Sequence, residues 1–372
     1  MRAKLEKIKL VTPKAESLWT GPPPQWQHPT MDGRSGQNKL KLQLQKLTPF
    51  FLHQPKWHHI QPEQANAIAV ALGEKKILTS ALKSEISDGA GESNFHEPVL
   101  LTSDADGRDS EIKYLPRIVP YRPERYGLTA DDFDNACVID VHLSTHRDET
   151  GRFAYSAEQL SRWDVLQAEI PIAGGSWVPS ATFLPDVPSM KDLPGKFEQL
   201  RALSPAAALF VTLDPFHLQD DLKGILSAKP DGIILQLDAL QADGFEIAKL
   251  VVQARSIMDH STSKTVPLWV SPGEIDADDA AKLISLGASG IAIDRWFNEL
   301  WDEIESTDQP SYAPRNHFGN QAQRLADDME WYVSRTMGLL HSLERLPPDQ
   351  RLTSFDKEWC DQLGLFHCNA LI

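Results

Sequence analysis

Histidine and aspartate residues that could bind a metal ion occur at the ends of several short apolar runs in this sequence. His53 ends the run 47–53, His142 lies in the run 137–143, and Asp214 and His217 follow the run 208–213. Histidine nitrogens and carboxylate oxygens from separate strands can hold a divalent metal ion that activates water. These four residues are therefore candidate ligands, although the sequence contains no HxH or HExxH pair. The alternative is that polar residues simply mark where strands meet solvent.

Two turns in the second half of the chain indicate a different chemistry, the binding of a phosphorylated cofactor. The segment 271–274 (SPGE) and the pair Asp294–Arg295 follow the last two apolar runs. Many barrels bind phosphate on backbone N–H groups after their seventh and eighth strands. Gly273 would allow close approach of the backbone, and Arg295 could pair with a phosphate. Glu274 would repel one.

Alternating strands and helices must position these groups. The predicted strands are residues 47–53, 77–80, 99–103, 137–143, 208–213, 232–237, 266–271 and 290–294. Most are continuously apolar, which is typical of strands covered on both faces. Helical patterns lie between them, for example at 62–73, where proline stands in the first turn and glycine at the end. Eight such units predict an α/β protein with a (β/α)₈ (TIM) barrel, and an open doubly wound sheet is the alternative.

The C-terminal ends of these strands would then form one polar mouth. The residues predicted there are His53, Thr79, Ser80, Asp104, His142, His146, Asp214, His217, Asp238, Ser271, Glu274, Asp294 and Arg295. We expect three regions along the chain: an irregular N-terminal extension (1–45), the barrel (46–310) and a C-terminal helical extension (311–372). The C-terminal helices are expected to cap the barrel or to form a surface between two copies of the chain.

Composition excludes several partner classes. The net charge of −15 argues against nucleic acid and anionic membranes, because both favour a basic surface. The sequence has no apolar stretch long enough to cross a membrane, and its first residues lack a secretory signal pattern. The spacing of Cys137, Cys360 and Cys368 fits neither a disulfide framework nor a metal motif. We expect a cytoplasmic protein whose partner is a small molecule at the barrel mouth.

The order of several segments resembles the FMN-binding barrel domain of glutamate synthase and its stand-alone relatives, over about residues 30 to 345. The segments that carry this resemblance are 48–52 (TPFFL), 60–69 (IQPEQANAIA), 125–133 (RYGLTADDF), 136–141 (ACVIDV), 184–193 (LPDVPSMKDL), 229–235 (KPDGIIL) and 279–288 (DAAKLISLGA). The resemblance implies a (β/α)₈ barrel, an FMN cofactor and oxidoreductase chemistry of the glutamate synthase type.

The resemblance also assigns residues to the cofactor and the substrate. It implies FMN contacts at Thr212, Asp238, Gly273 and Arg295, with Asp214 or His217 near the substrate. Together with His142, which is predicted at the mouth from its strand-end position, Asp214 and His217 are the predicted catalytic residues. At the first three of these cofactor positions the chain departs from the family. Thr212 replaces a lysine, Asp238 begins the segment in place of a glycine-rich turn, and 271–274 replaces a DGG phosphate loop. The iron–sulfur cysteines of glutamate synthase have no counterpart.

Three functions follow as hypotheses. The first is an FMN-dependent oxidoreductase of the glutamate synthase type with altered cofactor contacts. The second is a non-catalytic barrel, or pseudoenzyme, that acts as a binding or scaffold subunit. The third is a metal-dependent hydrolase or lyase that uses the histidine–aspartate mouth.

Overall fold

The structure is a computed structural model of the 372-residue chain. It describes residues 4–11, 48–57, 60–83, 86, 117–121, 128–134, 136–143, 154–156, 177–179, 187, 189–238, 242–261, 266–307, 316–344, 346–347 and 350–367. The predicted mouth residues Asp104 and His146, and most of the predicted N-terminal extension, lie outside these ranges.

Eight parallel strands form a closed barrel, which confirms the predicted (β/α)₈ class and excludes the open sheet. The strands of the described chain are β1 (Ile8–Leu10), β2 (Phe50–Leu52), β3 (Leu78–Ser80), β4 (Arg117–Tyr121), β5 (Val138–His142), β6 (Ala154–Ser156), β7 (Trp177–Pro179), β8 (Ala208–Leu213), β9 (Gly232–Gln236), β10 (Leu268–Ser271), β11 (Gly290–Ala292), β12 (Leu352–Ser354) and β13 (Phe366–His367). The barrel order is β2–β3–β4–β5–β8–β9–β10–β11, and pairing of Ile291 with Phe50 closes it.

The third barrel strand differs from the sequence prediction. Residues 99–103 were assigned to it, but the strand between β3 and β5 is β4, and 99–103 lie outside the described residues. Pro120 interrupts the β4 sequence and has no N–H to donate to a neighbouring strand, so the segment does not match the pattern of a central strand. The charged Arg117 at its start is nevertheless buried, because its guanidinium donates to the carbonyl oxygens of Ala81 and Asp132.

Helices follow most of the described strands and cover the outside of the barrel. They are α1 (Pro62–Glu74), α2 (Leu193–Leu203), α3 (Leu218–Ser227), α4 (Gly244–Ser261), α5 (Ala277–Ser285), α6 (Asp294–Thr307), α7 (Asn316–Leu343) and α8 (Lys357–Leu363). Local signals explain their starts: α1 has proline in its first turn, and the Asp276 carboxylate accepts the backbone N–H of Asp279 at the start of α5. The long helix α7 packs against α1, α5 and α6. None of the helices described here has the length and apolar character needed to cross a bilayer.

Aromatic rings fill the lower part of the barrel interior. The rings of Phe51 and Phe210 both pack on Trp269, with centroid distances of 4.5 and 4.4 Å. Glycines make room for them: a Cβ at Gly290 would lie 2.7 Å from Trp269 Cδ1, and one at Gly232 would overlap the Phe210 ring. The interior is therefore a packed core rather than a pore, as is usual for this fold.

The two ends of the described chain are joined on the outside of the barrel. β1 pairs antiparallel with β12, which pairs in parallel with β13. The buried Asp279 carboxylate of α5 accepts the backbone N–H groups of Lys4 and Leu5. Lys282 of α5 donates to Asp279 and to the Leu5 carbonyl. Residues 4–10 are thus fixed to the outside of the barrel, where the N-terminal extension was expected to wrap the body or to contact a second subunit.

Candidate functional site

A polar layer lies directly above the apolar interior, toward the C-terminal ends of the strands. Side chains alternate between the two faces of a strand, so the residue two places after each interior residue also points inward. The interior residues Phe51, Leu78, Ile118, Val138, Phe210, Ile234, Trp269 and Ala292 form one cluster. Two residues further along their strands stand His53, Ser80, Pro120, Asp140, Thr212, Gln236, Ser271 and Asp294. All but one of these eight positions carry a polar or ionisable side chain at the end where barrels bind ligands.

The centre of this layer is a hydrogen-bonded group formed by His53, Asp140 and Thr212, each with no solvent exposure. The His53 Nε2 atom lies 3.1 Å from Asp140 Oδ2 and 3.2 Å from Thr212 Oγ1. Thr212 Oγ1 donates to the other carboxylate oxygen, Asp140 Oδ1, at 2.5 Å. The group therefore joins β5 and β8 to the end of β2 across the barrel interior. It fixes the orientation of the imidazole and of both carboxylate oxygens.

His142, the next inward position after Asp140 on β5, extends this group toward solvent. It is 8% exposed, whereas His53 and Asp140 are fully buried. One ligand atom each from His53, Asp140 and His142 lie within 4.8 Å of one another. The structure thus brings together two of the predicted ligands, His53 and His142, with a carboxylate that the sequence analysis did not select.

Asp294 lies beside His53 at the first residue of α6. Its carboxylate accepts the backbone N–H of His53 at 3.0 Å and that of Gln54 at 2.7 Å. Burial raises the pKa of Asp294 above the ordinary value, and the nearby Asp238 charge acts in the same direction. The two N–H donors and His53 oppose that rise in pKa. Asp294 therefore anchors the end of β2 and adds a carboxyl group to the mouth.

Two further inward side chains hold polar atoms without a hydrogen-bond partner among the described residues. These atoms are Ser80 Oγ and Gln236 Oε1, and both are buried. Buried polar atoms are normally paired, and the exceptions concentrate where a ligand or an ordered water binds. Their location at the inward positions of β3 and β9 places them on the walls of the same mouth.

The other predicted catalytic residues, Asp214 and His217, are not among the three clustered ligand residues of the described chain. Asp214, directly after β8, is half-buried. His217 is exposed at the start of α3 and lines a shallow surface cavity of about 260 Å³ together with Leu250 and Gln253 of α4. The metal-ligating group that the described residues form does not include His217.

The loops after β9, β10 and β11, where an FMN phosphate would be expected to bind, are acidic in the part of the chain described. The carboxylates Asp238, Glu274 and Asp294 occur in these loops. Gly273 adopts a φ of +76°, but a Cβ there would lie 3.3 Å from the Asp238 Cα, so these two loops already pack together. A bound phosphate needs free backbone donors and a positive group.

The predicted phosphate cation, Arg295, is placed on the outer face of α6. Its side chain is about half exposed, and its Nε atom lies 3.2 Å from Glu299 Oε1 one turn further along the helix. Thr212, the predicted flavin contact, uses its hydroxyl in the His53–Asp140 group. Flavin contacts at Thr212, Asp238, Gly273 and Arg295 stay a prediction from the resemblance.

Asp140 is the main functional residue that the sequence analysis missed, although a signal was present. In the run Val138-Ile139-Asp140-Val141-His142 the two polar residues alternate with apolar ones. Two ionisable residues two places apart in a strand share one face. That pattern in an otherwise apolar run indicates a buried polar site on one side of the strand.

The closed strand order and the buried polar layer together define a (β/α)₈-barrel protein with an ionisable centre at the C-terminal end of the barrel. No protein-family model and no curated protein matches the sequence.

Solved structures with some similarity include mandelate oxidase with (S)-2-phenylpropionate, at 13% identity and a TM-score of 0.41 over 78% of this chain and 74% of that one. A flavocytochrome b2 variant with benzoylformate shows 13% identity and a TM-score of 0.44 over 78% of this chain and 65% of that one. Similarity at this level of identity and TM-score does not assign a function, and the fold assignment depends on the strand pairing.

Proposed function

We propose that this chain is an enzyme, a hydrolase or lyase, that converts a small molecule at the C-terminal mouth of its barrel. The observation that supports this proposal is the buried group of His53, Asp140 and His142, whose ligand-type atoms lie within 4.8 Å of one another. The group lies where the active sites of this fold are found. It does not depend on the loops outside the described residues.

The energetic cost of this group favours a functional role over a packing role. Moving an ionisable side chain from water into the interior is costly unless it is paired, and an apolar layer would fill the same space at no such cost. His53 and Asp140 have no exposure, yet they occupy positions that could hold leucine or valine. Ionisable groups retained in such a place are typical of catalytic sites.

The arrangement is suited to proton transfer. A carboxylate hydrogen-bonded to an imidazole orients the ring and stabilises its protonated form. Asp140 bonds to His53 in this way, while Thr212 holds the other carboxylate oxygen. In hydrolysis, the group would accept a proton from water as the water oxygen attacks the substrate, and a proton would then pass to the leaving group. In a lyase reaction it would accept a proton from the substrate itself.

An FMN-dependent oxidoreductase of the glutamate synthase type is the second candidate. It is favoured by the placement of the resembling segments: 60–69 falls on α1 and the turn before it, 136–141 on β5, 229–235 on β9 and 279–288 on α5 with the turn that follows. The carboxyl groups of Asp238, Glu274 and Asp294 disfavour it, because they would repel the FMN phosphate. Flavin binding has a direct readout, because a preparation that holds FMN, or takes it up when added, shows the visible spectrum of an oxidised flavin.

The decisive experiment is a substrate screen with matched variants. The purified chain would be tested on chromogenic esters, lactones, amides and phosphomonoesters for hydrolysis, and on hydroxy acids for elimination. Asp140→Asn and His142→Gln are expected to lower any activity by about 10²–10⁴-fold, the usual contribution of positioned acid–base groups. His260→Gln is the matched control, because His260 is exposed on α4 and contacts only its own helix in the described contacts.

Each outcome has a defined meaning. Activity that is lost in both mouth variants, retained in His260→Gln and accompanied by unchanged circular dichroism supports the proposal. Activity that survives both mouth variants contradicts it. A flavin spectrum with turnover of a hydroxy acid and an added electron acceptor replaces it with the second candidate. The absence of turnover across the panel, with no ligand that raises the melting temperature, leaves the scaffold hypothesis in its place.

A further inference from the structure

We propose that His53, Asp140 and His142 bind one divalent transition-metal ion of the zinc type inside the barrel mouth. This inference deepens the proposed function. The activation of water by the ion rests on that function, whereas the binding of the ion does not. The three side chains come from two strands, with His53 at the end of β2 and Asp140 and His142 on β5. His53 approaches Asp140 and His142 across the interior of the barrel.

The geometry of the group matches what a small ion requires. Zinc bonds to histidine nitrogen and carboxylate oxygen at about 2.0–2.2 Å, so two ligand atoms of a tetrahedral site lie about 3.3 Å apart. His53 Nε2 and Asp140 Oδ2 are 3.1 Å apart, and His142 offers a third ligand atom within 4.8 Å of both. A small shift of the His142 side chain would complete a three-ligand set. Two imidazoles with one carboxylate are typical of zinc and related ions rather than of calcium or magnesium.

The neighbours of the group support a ligand role for Asp140. Carboxylates and imidazoles that bind metals are usually oriented by a second hydrogen bond from a nearby side chain or backbone group. The Thr212 hydroxyl donates to Asp140 Oδ1, which leaves Oδ2 directed toward His53 Nε2. Thr212 is fully buried, so this orientation does not depend on solvent.

The charge of the mouth favours a cation. Asp294 accepts the backbone N–H of His53 at 3.0 Å, so a second carboxyl group lies close to the group, and Asp238 and Glu274 lie on the neighbouring loops. The same acidity that opposes a phosphate would stabilise a divalent ion. The excess of carboxylates thus favours a divalent cation over a phosphate at this end of the barrel.

Three protein ligands leave a coordination position for water. Zinc bound by three side chains lowers the pKa of its water toward neutrality, and this supplies a hydroxide for hydrolysis. In the metal-bound form His53, Asp140 and His142 act as ligands, and the ion replaces an imidazole as the group that activates water. The partly exposed His142 marks the side from which a substrate would reach that position.

The test uses the full chain and a readout that does not depend on activity. The protein is stripped with a chelator and titrated with Co²⁺ as a spectroscopic substitute for zinc, and the bound Zn²⁺ of the untreated protein is measured by mass spectrometry. We expect one equivalent of metal and the intense visible absorption of tetrahedral Co²⁺. His142→Gln and Asp140→Asn should remove this absorption, and Thr212→Val should weaken Co²⁺ binding by about 10–100-fold, as loss of an orienting group does elsewhere.

Controls separate this inference from the proposed function. His217→Gln and His260→Gln should leave the Co²⁺ spectrum unchanged, because both side chains are exposed and lie outside the group. Circular dichroism identifies variants that fail to fold, and the partly exposed His142 gives the least disruptive substitution. Absence of the spectrum in the folded wild type, or its persistence in His142→Gln and Asp140→Asn, overturns the metal site. Chelator-resistant activity that still requires Asp140 overturns the metal site and leaves the proposed function standing.

Discussion

Replacing Asp279 by alanine is expected to lower the free energy of unfolding by about 3–5 kcal/mol, the usual cost of removing one partner from a buried ion pair. Asp279 is fully buried on α5, and its partner Lys282 is 8% exposed. The Asp279 carboxylate accepts N–H groups from Leu5 at 3.1 Å and Lys4 at 2.5 Å, and the Lys282 ammonium at 3.1 Å. Alanine would remove all three acceptor contacts and leave a buried ammonium facing the Leu5 carbonyl at 3.0 Å.

A double-mutant cycle separates the part of this stability loss that comes from the ion pair with Lys282 from the part that comes from the attachment of residues 4–5. Lys282→Met removes the charge that Asp279 would otherwise leave unpaired, so the double variant should be more stable than the sum of the two single losses predicts. We expect a coupling of about 1–3 kcal/mol, which is typical of contacting residues in one network. The part of the loss that the second substitution does not recover belongs to the attachment of residues 4–5.

Urea unfolding followed by tryptophan fluorescence measures these differences as shifts of the midpoint multiplied by the slope m. Asp278→Ala is the control, because Asp278 pairs with Arg335 at 3.1 Å while both side chains are about half exposed. An exposed pair of this kind contributes less than about 1 kcal/mol. A midpoint for Asp279→Ala no lower than that of Asp278→Ala would refute the reasoning, and so would a double variant equal to the sum of the singles.

Three other substitutions or modifications test the packing and the electrostatics. Gly232→Ala should lower the melting temperature, because its Cβ would overlap the Phe210 ring and overpacking costs about 1–3 kcal/mol. Gly195→Ala on α2 is the control, because a Cβ there meets no described atom within 4 Å and should leave the melting temperature unchanged. Equal shifts of the melting temperature in the two variants would contradict this prediction. Burial raises the pKa of Asp276, which favours the protonated form in the folded state, so the stability of the wild type relative to Asp276→Asn should be lowest at pH 7 and should rise as the pH falls through that raised pKa. Urea midpoints between pH 7 and pH 4 give this trend, and the opposite slope would exclude the assignment. Burial raises the pKa of Cys137 to about 11, so peptide mapping after alkylation at neutral pH should find this thiol unmodified until the protein unfolds, and rapid labelling of the native state would contradict its burial.

The fold could be predicted largely from the sequence because local patterns and the chain topology agree. Continuous apolar runs such as 208–213 and 232–237 fall on β8 and β9, and proline and glycine mark the limits of α1. β4 was missed for the same reason that the others were found: Pro120 and Arg117 break the apolar run. The cost of burying the Arg117 guanidinium is offset by its hydrogen bonds to the carbonyl groups of Ala81 and Asp132. Such contacts cannot be read from the order of residues in the sequence.

The candidate site was predicted only in part, since its geometry depends on distant residues. The position of His53 and His142 at strand ends could be inferred from the apolar runs that contain them. The approach of His53 to Asp140 and His142 depends on which strands face each other across the closed barrel, and that follows from strand order rather than from spacing. The outward placement of Arg295 reflects a one-residue difference, because Asp294 takes the inward position and its neighbour must point away.

The aromatic floor formed by Phe51, Phe210 and Trp269 limits how a compound could enter and leave the barrel. The His53 ring rests edge-on against Phe51, with 6.0 Å between the ring centroids, so the polar layer ends at this floor. A compound that binds at the mouth has no path through this packed interior and must therefore leave from the C-terminal end of the barrel. Release of one molecule and binding of the next would then compete for the same end of the barrel.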